Sequence, residues 1–209
     1  MNTKFQIKKA LNTIIEGMKK NNKKIQTISE WEGPIYHRKY EIRLNNSAKV
    51  DPLIVMEKFQ KNFNLLCPPA VVYFEKTKGH KINLNLGDEL LAHLAGPWNS
   101  PTRVVEVSET GFKLVTLQGS MEAGHICFYL KKKKGHYYFI VESLAKSKDL
   151  LIDAFYDKIP LLQKGQQFMW IYVCEKFAHE CCPKQKAKVH VLTEKKRNLS
   201  STYKQVQST

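Results

Sequence analysis

The chain has 209 residues, 43% of them hydrophobic and 25% charged, which is the composition of a globular protein with a core of its own. No apolar run approaches the ~20 residues of a membrane-spanning helix, and the N-terminus lacks the apolar segment and cleavage site of a signal peptide. The five cysteines form no C-x-x-C pair and are typical of reduced thiols. We therefore predict a cytoplasmic protein with no transmembrane segment.

The formal net charge of +15 is the most unusual global property. A basic balance suggests polyanionic partners, either nucleic acid or an anionic membrane surface. The lysines concentrate at the two ends of the chain and in the turn 131–134, and none of the familiar nucleic-acid recognition modules is present. We therefore predict no specific nucleic-acid partner and leave open a weak contact with an anionic membrane surface.

The first 33 residues are predicted to form an amphipathic helix and a linker. Apolar residues repeat at helical spacing over residues 4–20, at Ile7, Leu11, Ile14, Ile15 and Met18. Such a helix packs on the body of the protein or lies on an anionic membrane, and we favour packing because Phe5 is its only large aromatic residue. The linker ends at Gly33-Pro34.

The next stretch predicts a strand over 35–44, in which Tyr36, Arg38, Tyr40 and Ile42 alternate with other residues. Asp51-Pro52 then predicts a helix start, with Asp at the N-cap and Pro at the first helical position. The helix is predicted to stop by 67–69, where a Pro-Pro pair occurs.

A run of short strands separated by turn signals follows, which favours an antiparallel meander. The predicted strands cover 70–75, 81–86, 87–94, 102–107, 112–117, 125–130 and 136–144. Ser147 and Asp149 predict the start of a helix that Pro160 breaks, and a second helix is predicted over 161–181. Residues 183–209 are polar and lysine-rich and are predicted to be a flexible basic tail.

This order predicts an α+β fold with helices gathered on one face of an antiparallel sheet. The domain proper is expected to span 34–182, between the N-terminal segment 1–33 and the tail 183–209. If the sheet curls around the last helix, the two enclose a cup in which a cavity can form.

Segment 103–128 resembles the central signature of an uncharacterised bacterial family, a domain of unknown function placed near the helix-grip superfamily of START-like and birch-pollen-allergen-like binders. The likeness rests on Gly111-Phe112, Thr116-Leu117, Gly119, Glu122, Gly124 and Phe128, after the run Arg103 to Val107. Weaker similarity involves Ser143 to Ser147 and Gln166-Gln167. The resemblance implies a curved antiparallel sheet wrapped on a long C-terminal helix, and little about chemistry.

The chain departs from that family inside the turn 117–124. Gln118, Ser120 and Met121 stand where the family has proline, histidine and proline, so a function of that histidine cannot be carried from this position. Ser120 is not a nucleophile, because the elbow motif needs glycines two residues on either side. The segment His179 to Cys182 lacks the second ligand pair of a structural zinc site.

Glu122 and His125 are the candidate polar site residues. They can serve as an acid/base or a polar anchor in the mouth of a cavity, or Glu122 can cap its turn by accepting backbone N–H bonds; the turn role is the favoured alternative. The aromatic residues can line a cavity or fill a core, which is their commoner place. The candidate ligand-binding set is Glu122, His125, Trp98, Phe112, Phe128, Tyr138 and Trp170.

The function predicted from the sequence is non-catalytic binding of an apolar small molecule or lipid between the sheet and the C-terminal helix. No catalytic residue, cofactor or metal site is predicted. One alternative is an enzyme of the same fold, of hydrolase or cyclase type, that uses Glu122. Another is a peripheral binder of anionic surfaces through the basic ends.

Overall fold

A computed structural model of the protein describes residues 23–28, 34–45, 50–80, 82–94, 99–120, 122–147, 160–184 and 188–196. Within these ranges the elements, in chain order, are β1 (Ile35–Arg43), α1 (Pro52–Lys61), a 3-10 turn (Phe63–Leu65), β2 (Val72–Lys78), β3 (Glu89–Leu94), β4 (Asn99–Ser108), β5 (Gly111–Thr116), β6 (Glu122–Lys133), β7 (His136–Ser147), α2 (Pro160–Cys181) and β8 (His190–Lys196). The predicted helices over 4–20 and after Asp149, and Trp98, lie outside the described residues.

The strands form one antiparallel sheet in the order β2-β3-β4-β5-β6-β7-β1-β8. The meander from β2 to β7 follows the chain, and β1 is inserted between β7 and β8. Helix α2 packs against β1 and β7, so the curved sheet wraps around the C-terminal helix. This arrangement confirms the predicted α+β helix-grip fold.

Helix α2 is held through a stripe of buried residues at spacings of three and four, as expected for a helix with one face on a core. The stripe contains Met169, Trp170, Val173, Cys174, Phe177, Ala178 and Cys181. Phe177 stacks on Phe139 of β7, with ring centroids 3.9 Å apart. The described part of this helix begins at Pro160, close to the predicted start at residue 161; the predicted break of a preceding helix concerns residues outside those described and stays a prediction.

Helix α1 closes the cup at one end. Its N-cap is the predicted one, since Asp51 Oδ1 accepts a 2.9 Å hydrogen bond from the Leu53 backbone N–H. Phe59 on this helix is fully buried and contacts Phe112 and Phe128 edge-on, at centroid distances of 5.4 and 5.5 Å. Aromatic side chains therefore fill this end of the cup, and any open space lies towards the other end.

The predicted strand over 81–86 is wrong. Residues 82–88 form a loop, although Ile82, Leu84 and Leu86 alternate as they would in a strand. Hydrogen bonds from Lys76 hold the chain in this loop. The Lys76 ammonium donates to the carbonyl oxygens of His80 and Asn83 at 2.6 and 2.5 Å. It also donates to Asp88 Oδ2 at 2.8 Å.

The predicted flexible tail is wrong for residues 190–196. They form the edge strand β8, which pairs with β1 from Ile35↔Lys196 to Glu41↔His190. The predicted division of the chain at residues 34 and 182 otherwise stays a prediction. All five cysteines are free thiols, as the sequence suggests.

Candidate functional site

The turn between β5 and β6 sets the direction of Glu122. Gly119 has a φ of 101°, and a Cβ added to Gly124 would lie 2.0 Å from the Leu144 carbonyl oxygen. Thr116 Oγ1 accepts a 2.9 Å hydrogen bond from the Gly124 backbone N–H. No hydrogen bond to the Glu122 carboxylate occurs within the described part of this turn, so Thr116, rather than Glu122, holds it.

A cavity of about 120 Å³ lies between the inner face of the sheet and α2. Its walls are mostly apolar, and they come from β2 to β7 and from α2. The apolar lining residues are Val72, Phe74, Ala92, Leu94, Leu114, Ile126, Phe128, Ala145, Met169 and Trp170. The volume is close to that of an engineered 150 Å³ cavity that holds benzene, so the space suits about six to eight non-hydrogen atoms.

Two buried polar atoms on the wall have no hydrogen-bond partner among the described residues. They are the hydroxyl oxygen of Ser143 on β7 and the amide oxygen Oε1 of Gln166 on α2. A buried polar atom without a partner destabilises the folded protein by about 1–3 kcal/mol. The cavity therefore presents unmet hydrogen-bonding capacity on two facing elements.

Glu122 and Arg38 add charge next to these atoms. Arg38 on β1 lies directly opposite Ser143 in the β1–β7 register, so both side chains are on the inner face. Burial raises the pKa of Glu122, and the positive charge of Arg38 opposes that rise. Nη1 of Arg38 is buried and has no hydrogen-bond partner in the part of the chain that is described.

His125 does not join Glu122. It borders the cavity, but successive side chains of a strand point to opposite faces, and His125 is three positions after Glu122. Burial lowers the pKa of His125 to about 4, with Lys113 adding to the effect and Glu142 opposing it. The imidazole therefore lies on the outer face of the sheet, and the pair proposed from the sequence is split.

The aromatic candidates fall into three groups. Phe128 and Trp170 line the cavity, and their ring centroids are 5.5 Å apart. Phe112 stacks on Phe128 at 4.9 Å and belongs to the filled core near α1. Tyr138 is at the far end of β7, where the Lys133 ammonium lies 4.9 Å from its ring centroid; it is remote from the cavity.

The outer face carries a second, wider groove of about 740 Å³ between the segment Ile25–Ile28 and β4 to β7. Its polar groups contact one another: His37 Nε2 lies 2.7 Å from Glu142 Oε1, and the Lys113 ammonium donates to Glu106 Oε1 at 3.2 Å. Because these groups already form hydrogen bonds with one another, the groove offers a ligand fewer free donors and acceptors than the cavity does.

Among the described residues, no cluster of three or more histidine, cysteine or acidic side chains could hold a metal ion. No helix in the described part of the chain is long and apolar enough to span a membrane.

Comparison with known proteins gives likenesses of structure only. No family model and no curated protein matches the sequence, so the resemblance to an uncharacterised bacterial family stays a prediction. Norcoclaurine synthase from Thalictrum flavum is 14% identical with a TM-score of 0.47, over 73% of this chain and 90% of that one. A major latex-like protein from Panax ginseng is 10% identical with a TM-score of 0.46, over 69% and 99%.

A conserved protein from Geobacillus kaustophilus is 12% identical with a TM-score of 0.45, over 74% of this chain and 99% of that one. These scores are too low to carry an argument about function. The class of protein defined here, an α+β helix-grip fold with a small polar-ended cavity, rests on the sheet order and the packing of α2.

Proposed function

We propose that the protein binds a small, largely apolar molecule with a hydrogen-bonding head in the cavity between the sheet and α2. The observation that carries this proposal is the pair of buried, unpartnered atoms Ser143 Oγ and Gln166 Oε1 on a mostly apolar wall. A purely apolar occupant would leave both atoms unsatisfied, whereas a head with an N–H or O–H group can donate to Gln166 Oε1.

The size of the cavity narrows the ligand class. At about 120 Å³ the space suits a molecule near the size of phenol and is far too small for a lipid with long acyl chains. Phe128 of β6 and Trp170 of α2 contribute apolar ring surfaces to the wall of the space. A single aromatic ring with one hydroxyl or amide group satisfies the shape and the polar atoms together.

Glu122 favours a neutral or cationic head over an anionic one. Burial raises its pKa, so bringing a second negative charge into the cavity would be opposed by desolvation and by repulsion. A protonated Glu122 can itself donate to the ligand, and an ionised one can accept from it.

An enzymatic role through Glu122 is the second candidate, because a raised carboxyl pKa is typical of general acids. Glu122 is the only acidic or basic group whose side chain faces the cavity among its described lining residues, since His125 points to the other face. Acid–base chemistry with a second protein group is therefore less well supported than binding. The third candidate, binding through the basic ends, concerns residues mostly outside those described.

Binding can be tested with phenol and toluene as probes of the same shape. The readouts are the melting temperature and the NMR signal of the Met169 methyl group, with the signal of Met56, which is buried on α1, as an internal control. We expect phenol to bind and to shift Met169 alone, and toluene to bind about tenfold more weakly.

Ser143→Ala should remove the preference for phenol over toluene. Ser108→Ala, which is remote from the cavity, should leave that preference unchanged. If neither probe nor any related phenol or amide moves the Met169 signal, the proposal is wrong. Turnover of a bound compound that Glu122→Gln abolishes without loss of binding would instead establish the enzymatic alternative.

A further inference from the structure

The end of the sheet away from the polar end of the cavity carries two features that the proposed function does not use. In an antiparallel meander, alternate turns lie at the same end of the sheet. The loop between β2 and β3 and the turns after β4 and β6 therefore lie at the same end of the sheet. We call this end the docking end and define it by Ile82 and Leu86 in the first loop and by Lys131, Lys132 and Lys134 at the β6–β7 turn.

The lysines are placed on the part of the β6–β7 hairpin that projects beyond its neighbour. Strand β5 begins at Gly111, opposite Tyr129, so Lys131 to Lys133 extend past it by about 10 Å at the usual strand rise. Lys131, Lys132 and Lys134 are exposed and form no ion pair with an acid among the described residues. Lys133 differs, because its ammonium contacts Glu41 at 2.9 Å.

The turn itself holds a lysine where the backbone disfavours one. Lys134 has a φ of 48° and Gly135 a φ of 80°, and Lys133 pairs with His136 across the turn. This is a two-residue turn of the kind in which Asn-Gly is strongly preferred. Left-handed backbone is disfavoured at a residue with a Cβ, so the charge at the tip is present despite a conformational penalty.

The β2–β3 loop presents apolar side chains in a fixed arrangement. Leu86 and Ile82 are 73% and 62% exposed, the two highest values for large apolar side chains among the described residues. The loop is fixed from inside, since Lys76 uses three hydrogen bonds to hold His80, Asn83 and Asp88. Leu84 is buried beneath it.

An anionic membrane surface suits both features. Basic side chains are attracted to such a surface, and exposed aliphatic side chains on a fixed loop gain free energy by entering the acyl boundary. Nucleic acid would use the lysines but offers nothing to two aliphatic side chains, because single strands are bound by stacking on aromatic rings. Glu109 lies in the intervening turn and weakens the positive potential there.

We propose that the docking end binds anionic phospholipid bilayers, with the three lysines on headgroups and with Ile82 and Leu86 inserted. The membrane contact is thus made by the folded sheet rather than by the basic ends of the chain. It brings one end of the sheet against the bilayer and leaves the polar end of the cavity on the other side.

The test is sedimentation of the full-length protein with vesicles of phosphatidylcholine containing 30% phosphatidylserine, compared with phosphatidylcholine alone, at about 0.1 M salt. We expect binding to the anionic vesicles only. The double variant Lys132→Gln/Lys134→Asn should weaken binding about 30-fold. Asn tolerates the backbone at residue 134, and Tyr137→Leu, which removes the ring 5.3 Å from the Lys132 ammonium but keeps the charge, controls for the loss of that contact.

Lys23→Gln/Lys24→Gln is the matched control, since it removes the same charge from exposed residues at the opposite end; it should change binding by less than about threefold. Ile82→Ser/Leu86→Ser should abolish the binding that remains in 0.5 M salt.

Equal losses in the two lysine variants would overturn the proposal in favour of a general charge effect. Tighter binding of a single-stranded oligonucleotide at the same salt, unchanged by Ile82→Ser/Leu86→Ser, would overturn it in favour of nucleic acid.

Discussion

We expect Glu122 to destabilise the folded protein at neutral pH, because burial raises the pKa of its carboxyl group despite the nearby charge of Arg38. With the folded pKa above the unfolded one, the folded state holds more protons between the two values. The free energy of unfolding therefore falls as the pH rises through that window, which begins near pH 4.3. Glu122→Gln should be more stable than the wild type at pH 7, and the difference should disappear below pH 4.

Chemical denaturation at several pH values measures this effect. Glu109→Gln is the control, because it makes the same change at an exposed turn residue and should leave the profile unaltered. If Glu122→Gln is instead less stable than the wild type at pH 7, the carboxylate makes a stabilising contact and the prediction is wrong.

His125 should remain neutral far below the usual range. Burial, assisted by Lys113, lowers its pKa to about 4, whereas the unfolded chain titrates near 6.5. In that window the unfolded state binds more protons, so stability falls by up to about 3 kcal/mol as the pH is lowered from 6.5 to 4. Imidazole NMR signals of His125 that do not move between pH 7 and 5.5 would confirm this, and a midpoint near 6.5 would contradict it.

At the level of elements, the close pairing of β6 and β7 depends on Gly124. A Cβ there would lie 2.0 Å from the Leu144 carbonyl oxygen, and backbone cannot yield as a flexible side chain can. Gly124→Ala should lower the free energy of unfolding by about 1–3 kcal/mol, as measured by urea denaturation.

Gly165→Ala provides the matched control with the opposite sign. A Cβ at Gly165 meets nothing within 4 Å, and alanine is favoured over glycine in a helix by up to about 1 kcal/mol. If both variants lose stability equally, the close approach at Gly124 is not what holds the two strands together.

The elements with a clean local signal could be predicted from the sequence, and those held by distant contacts could not. Asp51-Pro52 predicts its helix because the cap is formed within three residues. The sequence over 81–86 has the alternation of a strand, but Lys76 and Asp88 fix the described residues 82–86 as a loop. Strand β8 has a polar sequence and is formed by pairing with β1, some 150 residues away in the chain.

The residues around the cavity also divide into those that local sequence identifies and those that distant contacts bring together. The sequence identifies Glu122, Phe128 and Trp170 because they lie in a marked turn or an apolar run, and all three line the cavity. For Ser143 and Gln166 the sequence shows only a weak family similarity, which assigns them no role. Arg38 is unusual in the sequence because it is a charged residue on the apolar side of an alternating strand. Only the β1–β7 register shows that it lies opposite Ser143, next to the cavity.

For the whole molecule, the defining contact is that between the sheet and α2, and Phe177 is its centre. The side chain is fully buried and stacks on Phe139 with centroids 3.9 Å apart and planes within 5°. Phe177→Ala would leave a cavity at this contact and should lower the free energy of unfolding by about 3–5 kcal/mol.

Phe168 offers the same substitution on the same helix, but its side chain is 56% exposed, so Phe168→Ala should change stability by less than about 0.5 kcal/mol. Thermal and urea unfolding of the two variants show whether α2 is stabilised only through its buried face or through all of its apolar side chains. Similar losses in both would mean that α2 is held by more than the face that the sheet covers, and the description of the fold would need to change accordingly.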